Sequence, residues 1–116
     1  MRQQPRPRSG AADSAPLFAA LGDPTRLELL ARLSDGRAHS ITRLSRGLRL
    51  TRQAVTKHLR VLAVAGLATS ASAGRESLWT LAPRRLGVAL QYLELMAARW
   101  DRRLEALKSH LEDAPD

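Results

Sequence analysis

The chain has 116 residues, a formal net charge of +8 and no cysteine; 44% of its residues are hydrophobic and only 3% are aromatic. Its length suits one domain with an aliphatic core. The missing cysteine excludes disulfides, thiolate metal sites and thiol redox switches. No apolar run could span a membrane or serve as a signal peptide, so we expect a soluble cytoplasmic protein.

The N-terminal part divides into a polar arm and a first helix. Residues 1–15 are rich in Pro, Gln and Arg and lack apolar periodicity, so they are predicted to be disordered. From Pro16, the apolar residues Leu17, Phe18 and Leu21 predict a short amphipathic helix.

A second helix is expected directly afterwards. Asp23 is a favourable N-cap, and Pro24 stands at the first helical position, where its missing N–H costs nothing. The residues expected to contact the core are Leu27, Leu29, Leu30, Ala31 and Leu33. Asp35-Gly36 ends the helix.

The next two helices form the central motif of the chain. Ser40 caps a short helix, which is followed by a break at Gly47, and Thr51 caps a second helix that ends at Gly66. One side of the second helix carries the apolar residues Val55, Leu59 and Leu62. Its other side, the cationic face, comprises Arg52, Gln53, Thr56, Lys57 and Arg60. Two helices joined in this way predict a helix-turn-helix, whose second helix enters a DNA major groove.

Charge is concentrated around this motif. Residues 36–75 contain no acid and eight cations, and the other eleven cations are balanced by the eleven acids, so the net charge comes wholly from this window. A concentrated cationic surface binds phosphates through counterion release, which favours a nucleic-acid partner. The alternative is a solvated basic helix without a partner. The N-terminal arm could likewise contact the DNA backbone or be merely flexible.

A β-hairpin is expected after Gly66. Leu67–Ser70 and Glu76–Leu81 are predicted strands joined by ASAGR, with Gly74 at the turn. Such a hairpin forms a wing beside the second helix of the helix-turn-helix, which is the recognition helix. Arg75, near its tip, could reach a phosphate or the minor groove, or could be a solvated loop arginine.

Pro83 begins a long helix that is predicted to continue to about Glu112. Its apolar residues recur with alternating steps of four and three. This C-terminal seam comprises Leu86, Leu90, Leu93, Ala97, Trp100, Leu104, Leu107 and Leu111. An exposed seam of this length is a liability in a monomer, so we expect a homodimer, in which the first helix could also take part.

From Phe18 to Leu81 the sequence resembles the ArsR/SmtB family of winged-helix transcriptional repressors. The similar segments are FAALGDPTRLELLARL, TRQAVTKHLRVLAVAGL and GRESLWTL. The resemblance implies a mainly α fold with a small β-hairpin, in the order α-α-α-α-β-β-α, and a dimer formed by terminal helices on a palindromic operator. It also implies that Arg52, Gln53, Thr56 and Lys57 occupy the recognition positions.

The metal sites of the family have no counterpart in this sequence. The third-helix site of the family requires cysteines. In the terminal-helix site, His110 and Asp113 could imitate one half, but the matching upstream residues are Ala97 and Arg99. His58, in a segment resembling the family's Ser-x-His-Leu, could contact a phosphate or form a structural hydrogen bond. We therefore expect no metal and no cofactor.

The sequence thus predicts a homodimeric repressor of an inverted-repeat operator, without metal sensing. Arg52 and Gln53 are the candidates for base edges, and Thr56 for a thymine methyl group. The predicted DNA-contacting residues are Arg43, Arg49, Thr51, Arg52, Gln53, Thr56, Lys57, His58, Arg60 and Arg75. The predicted dimer contacts are Leu17, Leu21, Leu86, Leu90, Leu93, Ala97, Trp100, Leu104 and Leu107.

The predicted division of the chain is an arm over residues 1–15, a DNA-binding core over 16–82, a dimerisation helix over 83–112 and a tail over 113–116. Three alternatives stay open. They are a metal- or ligand-responsive sensor whose effector is unknown, a winged-helix module for protein–protein contacts, and an enzyme. The last is disfavoured because the sequence has no Gly-rich phosphate loop and no His/Asp/Ser constellation of interpretable spacing.

Overall fold

The computed structural model describes residues 11–113. The elements in chain order are α1 (Ala11–Leu21), α2 (Pro24–Leu33), β1 (His39–Ser40), α3 (Ile41–Leu44), α4 (Arg52–Val64), β2 (Ala68–Ala73), β3 (Glu76–Leu81) and α5 (Pro83–Glu112). This order confirms the predicted winged helix-turn-helix, with one additional short strand, β1. No helix of the described part is both long and apolar enough to cross a bilayer.

Side-chain caps begin three of the helices, as predicted from the sequence. Asp23 Oδ1 accepts bonds from the backbone N–H groups of the first turn of α2, at 2.8 and 3.1 Å. Ser40 Oγ accepts from Arg43 N at 3.2 Å, and Thr51 Oγ1 accepts from Ala54 N at 3.1 Å. These bonds satisfy N–H groups that have no partner within their own helix.

One aliphatic core joins α1–α4, the sheet and the beginning of α5. Its buried members are Leu17, Ala20, Leu29, Leu30, Leu33, Leu44, Val55, Leu59, Leu62, Leu67, Ala68, Trp79, Val88 and Ala89. Leu27, which was predicted to contact this core, is 51% exposed. Leu29, Leu30 and Leu33 already fill the inward side of α2, so Leu27 projects from its flank.

The sheet has three antiparallel strands in the order β1-β3-β2. β2 continues to Ala73, so the hairpin loop consists of Gly74 and Arg75 alone and not of the five residues predicted. The segment TSASA lacks an alternating apolar pattern, and its pairing with β3 makes it a strand. Gly74 has φ +65°, a conformation that suits glycine at the first loop position of a tight hairpin.

α1 begins five residues earlier than predicted, so residues 11–15 are helical and not disordered. Ser14 and Leu17 are both fully buried, and this packing stabilises a segment whose composition alone indicates disorder. Pro16 lies within the helix and removes one backbone hydrogen bond. The rest of the predicted arm, residues 1–10, lies outside the described residues.

α5 has the predicted bounds but packs on the domain through an unpredicted side. Val88 and Ala89 are buried, and the ring of Tyr92 lies 5.9 Å from that of Phe18 on α1, with an interplanar angle of 57°. All residues of α5 from Ala97 onward are exposed. The second half of the helix therefore projects beyond the domain.

Candidate nucleic-acid interface

The buried side of α4 determines which of its residues face solvent. Val55, Leu59 and Leu62 are fully buried, and their spacing places them on one side of the helix. Arg52, Gln53, Lys57 and Arg60 are exposed, and Thr56 is half-buried. The cationic face predicted from the sequence therefore faces outward.

Arg26, on α2, connects the recognition helix α4 to the end of α1. Its Nε donates to the carbonyl of Ala20 at 2.6 Å and its Nη2 to that of Ala19 at 3.4 Å, at the end of α1. Its Nη1 lies 3.2 Å from Nδ1 of His58 on α4. Since an arginine can only donate, this contact requires Nδ1 of His58 to accept.

His58 is therefore part of the support of α4. Its side chain is only 24% exposed, and its Nδ1 also lies 3.9 Å from Oδ1 of Asp23. The backbone N–H groups of Arg26 and Thr25 hold the pKa of the Asp23 carboxyl below its ordinary value, and the nearby charge of Arg26 acts in the same direction. Of the two roles left open for His58, the geometry favours the structural hydrogen bond.

Arg32 fixes the turn between the two helices of the motif. Its Nη1 donates to the carbonyls of Leu44 and Arg46, at 2.8 and 2.6 Å, and its Nε donates to Oε1 of Glu28 at 3.1 Å. Sequence reasoning missed both Arg26 and Arg32. An arginine on a short helix has no pattern that distinguishes a solvated side chain from one that caps the carbonyls of a neighbouring segment.

Two threonines of the predicted site use their hydroxyl groups locally. Thr56 Oγ1 donates to the carbonyl of Arg52 at 2.8 Å. Thr51 Oγ1 accepts from the backbone as the cap of α4, and its proton stays available for another acceptor. A base contact by Thr56 is therefore one for its methyl group, whereas Thr51 can still donate to a phosphate.

The wing lies beside the beginning of the recognition helix. Arg75 and Arg52 line one concavity of about 180 Å³ together with Ser40 and Glu76. Arg75, the last cation of the acid-free window, is thereby placed near the first residue of α4. Arg43 and Arg49, which precede α4, are exposed.

Few acidic side chains lie close to the cations of the cationic face and the wing. Among residues 11–113, Arg32 forms an ion pair with Glu28, and the rings of His39 and His58 lie close to the carboxylates of Asp35 and Asp23. None of the eight cations in the window 36–75 forms an ion pair with another described residue. Their charges stay available to phosphates.

Two of the three histidines contact other side chains, His39 that of Asp35 and His58 that of Arg26. Nε2 of His39 lies 2.9 Å from Oδ1 of Asp35, and this hydrogen bond lowers the pKa of the Asp35 carboxyl. His110 is exposed on α5. Within residues 11–113 no three His, Asp or Glu side chains form a group suited to a metal ion.

The predicted dimer contacts fall into three groups according to their exposure in the single chain. Leu17 is fully buried within its own chain, so its prediction as an interface residue is wrong: the core covers it completely. Leu21 and Leu86 are half-buried and line an apolar groove of about 450 Å³ between α1 and α5. The remaining predicted contacts are exposed: Leu90, Leu93, Ala97, Trp100, Leu104 and Leu107.

Comparisons with known proteins agree with this geometry. Residues 21–71 match the family model of a helix-turn-helix domain. The chain is 42% identical over 65 residues to YuzN, an uncharacterised HTH-type transcriptional regulator of Bacillus subtilis (strain 168), a match that covers 51% of this chain and 71% of that protein.

Solved structures extend the likeness to most of the chain. An ArsR-like transcriptional regulator from Rhodococcus sp. RHA1 is 39% identical, with a TM-score of 0.73 over 89% of this chain and 96% of that one. A homodimeric winged helix-turn-helix DNA-binding domain from Mycobacterium bovis is 19% identical and shares the fold, with a TM-score of 0.59 over 85% of this chain and 90% of that one.

The fold and the outward cationic helix define a transcriptional regulator with a winged helix-turn-helix DNA-binding domain. More specifically, the chain belongs to the ArsR family.

Proposed function

We propose that the protein is a homodimeric repressor that binds an inverted-repeat operator in double-stranded DNA. The observation that carries this proposal is the cationic face of α4, which is exposed and unpaired among the described residues while its opposite side is anchored in the core. Each recognition helix would enter one major groove, with half-site centres about one helical turn, or a multiple of it, apart. Occupancy of the operator would exclude the transcription machinery from the promoter.

The exposed side chains divide into two roles. Gln53 presents an amide, which suits adenine, and Arg52 presents a guanidinium, which suits guanine. The phosphate-contacting group comprises Lys57, Arg60, Arg43, Arg49, Thr51 and, from the wing, Arg75. Phosphate contacts supply affinity and register, whereas base contacts supply sequence preference. His58 contacts Arg26 on the domain side of α4 and is not assigned a DNA contact.

The C-terminal seam supports the dimer. Leu93, Trp100 and Leu104 are more than half exposed in the single chain, at 52, 57 and 57%. The seam also continues into the α1–α5 groove, which offers further apolar surface to a second copy. The homodimeric state of the Mycobacterium bovis domain, which shares this fold, agrees with this assignment.

We further propose that repression does not depend on a metal. The chain has no cysteine, and the upstream terminal-helix positions hold Ala97 and Arg99. An arginine at a would-be ligand position repels a dication. A protein-interaction module would not need the unpaired cations of α4, so we favour DNA as the partner.

Two substitutions test the division of roles. Gln53→Ala should reduce the discrimination at one base step, a contact worth about 1–3 kcal/mol, and leave binding to scrambled DNA unchanged. Lys57→Ala should weaken all sequences alike and lower the salt slope by about 1. Arg84→Ala removes an exposed cation outside the proposed interface and serves as the control. Equal losses on operator and scrambled DNA for both variants would reject this assignment.

A further inference from the structure

A second groove lies on the other side of α1, between α1 and the recognition helix. This α1–α4 groove has a volume of about 600 Å³. Ala19 and Ala20 line it from α1, Val61 and Val64 from α4, and Lys57 and Arg60 form its rim. The volume lies in the range of small-molecule sites, which are mostly apolar with a few polar groups that fix orientation.

The apolar lining of the groove is unusually exposed for residues of α4. Val64 is 91% exposed and Val61 is 37% exposed, on a helix whose outward residues are otherwise cationic or polar. A single exposed valine needs no explanation. Here two of them adjoin the small residues of α1 and form one continuous apolar surface beside the cationic face.

Charge indicates the chemistry of the occupant. Arg26 also borders the groove, but its guanidinium is occupied by the carbonyls of Ala19 and Ala20 and by His58. Lys57 and Arg60 form no ion pair with another described residue. Their donors are available to an anion, and charge-assisted bonds to a carboxylate are stronger than neutral ones.

We propose that the α1–α4 groove binds an amphipathic carboxylate, an anion with an apolar chain, and that this ligand releases DNA. The apolar chain contacts Val61 and Val64, and the carboxylate binds Lys57 and Arg60. The same two cations are assigned to DNA phosphates, so the ligand and the operator compete for them. This competition rests on the proposed function, whereas ligand binding itself does not.

Other occupants fit the charge less well. Residues 1–10 contain three arginines and no acid, so their charge repels that of the rim. The exposed apolar surface expected to pair with a second copy is the C-terminal seam, on another helix. An anion of small size satisfies both the apolar lining and the cationic rim.

The first experiment measures binding without DNA. Octanoate, octan-1-ol and octyltrimethylammonium, each kept monomeric in solution, are titrated into the full chain by calorimetry. Octanoate should bind saturably at one site per chain, the alcohol at least tenfold more weakly and the cation not at all. Absence of saturable octanoate binding, or equal binding of the cation, would overturn the proposal.

A double variant locates the site. Val61→Ser with Val64→Ser should weaken octanoate binding by about tenfold, because it removes the apolar contact and leaves the charge unchanged. Leu27→Ser changes an exposed leucine on α2 and should leave octanoate binding unchanged. Equal octanoate affinity of the double variant and of the Leu27 control would place the ligand elsewhere and overturn the proposal.

The second experiment measures the competition with DNA. Both chains of the dimer must be free of octanoate to bind the operator, so octanoate at ten times its Kd should raise the apparent Kd for the operator by about a hundredfold, and saturating operator should in turn prevent octanoate binding. The double variant should bind the operator normally and resist octanoate. If octanoate binds but operator affinity is unchanged, the competition is wrong. If no duplex is bound selectively, the proposed function fails while the ligand site stands.

Discussion

Nη1 of Arg26 lies 3.2 Å from Nδ1 of His58, while the other nitrogens of this guanidinium donate to the last carbonyls of α1. One side chain therefore joins the end of the first helix to the side of the recognition helix. This contact fixes α4 on the side that faces the domain. Arg52, Gln53 and Lys57 therefore project from a backbone of fixed position. Fixed geometry is what base readout requires.

His58→Ala tests this support. The substitution should lower the free energy of unfolding by about 1 kcal/mol, because it leaves a donor of Arg26 without its partner. Urea denaturation measures the change. Lys57→Ala, at the adjacent exposed position, is the control and should stay within about 0.5 kcal/mol of the parent. Unchanged stability with weakened DNA binding would instead make His58 a phosphate contact.

Gly66→Ala should destabilise the junction between α4 and the wing. Gly66 has φ +81°, and an added Cβ would lie 2.7 Å from Cγ of Arg85. The left-handed conformation alone costs a non-glycine residue about 1–2 kcal/mol, and the contact adds to this. Gly74→Ala is a matched control, since Gly74 has φ +65° and no heavy atom within 4 Å of the added Cβ.

Thermal unfolding of these two variants separates the two causes. A larger loss for Gly66→Ala than for Gly74→Ala is expected, and truncation of Arg85 to alanine should remove the difference. Equal losses in both glycine variants would show that only the backbone conformation matters.

The sequence predicts the elements whose signals are local. Asp23, Ser40 and Thr51 are predictable as caps because the cap bond forms within three residues. Pro83 marked the start of α5 in the same way. These local rules, with the 3.6-residue period, were sufficient for the helices and for the outward face of α4.

What sequence reasoning missed depends on which partner covers a given side chain. An apolar residue such as Leu17 is expected both in a core and in a dimer interface. The sequence pattern does not show whether its own chain or a second copy buries it. β1 has two residues, too few for a periodic signal, and Arg26 acquires its role only when α1 and α4 meet. Sequence reasoning did not identify the side of α5 that packs on the domain, which carries Val88 and Ala89, because the more regular C-terminal seam dominates the apolar pattern of this helix.

Acid should weaken the fold by protonating two hydrogen-bonded carboxylates, those of Asp23 and Asp35. Backbone and side-chain hydrogen bonds lower the pKa of Asp23, mainly through the N–H of Arg26, and that of Asp35, mainly through His39, below the ordinary 3.8. A lowered pKa in the folded state stabilises the protein above the unfolded value, and this stabilisation is lost as pH falls through the folded value.

The melting temperature should therefore fall more steeply below about pH 4 in the parent than in Asp23→Asn/Asp35→Asn, since asparagine preserves the cap acceptor without titrating. Differential scanning calorimetry between about pH 6 and 2.5 measures this. Parallel curves for the parent and the double variant would contradict the assignment.

Leu104→Glu should separate the dimer without unfolding the domain. Leu104 is 57% exposed in the single chain, so a carboxylate there is harmless to the monomer but is buried in a paired seam. Sedimentation velocity should show a dimer for the parent and a monomer for the variant. Ala106→Glu, which adds the same charge at an exposed position outside the seam, should stay dimeric. A dimeric Leu104 variant would place the interface elsewhere.

The most direct test of the central claim is fluorescence anisotropy of the purified protein with the DNA upstream of its own gene. A scrambled duplex, a salt series, and added Zn²⁺ or EDTA complete the experiment. We predict tight, sequence-selective binding that weakens with salt and is indifferent to metal. Equal binding of both duplexes with a steep salt slope would contradict this account, because the cationic face would then be a general polyanion surface.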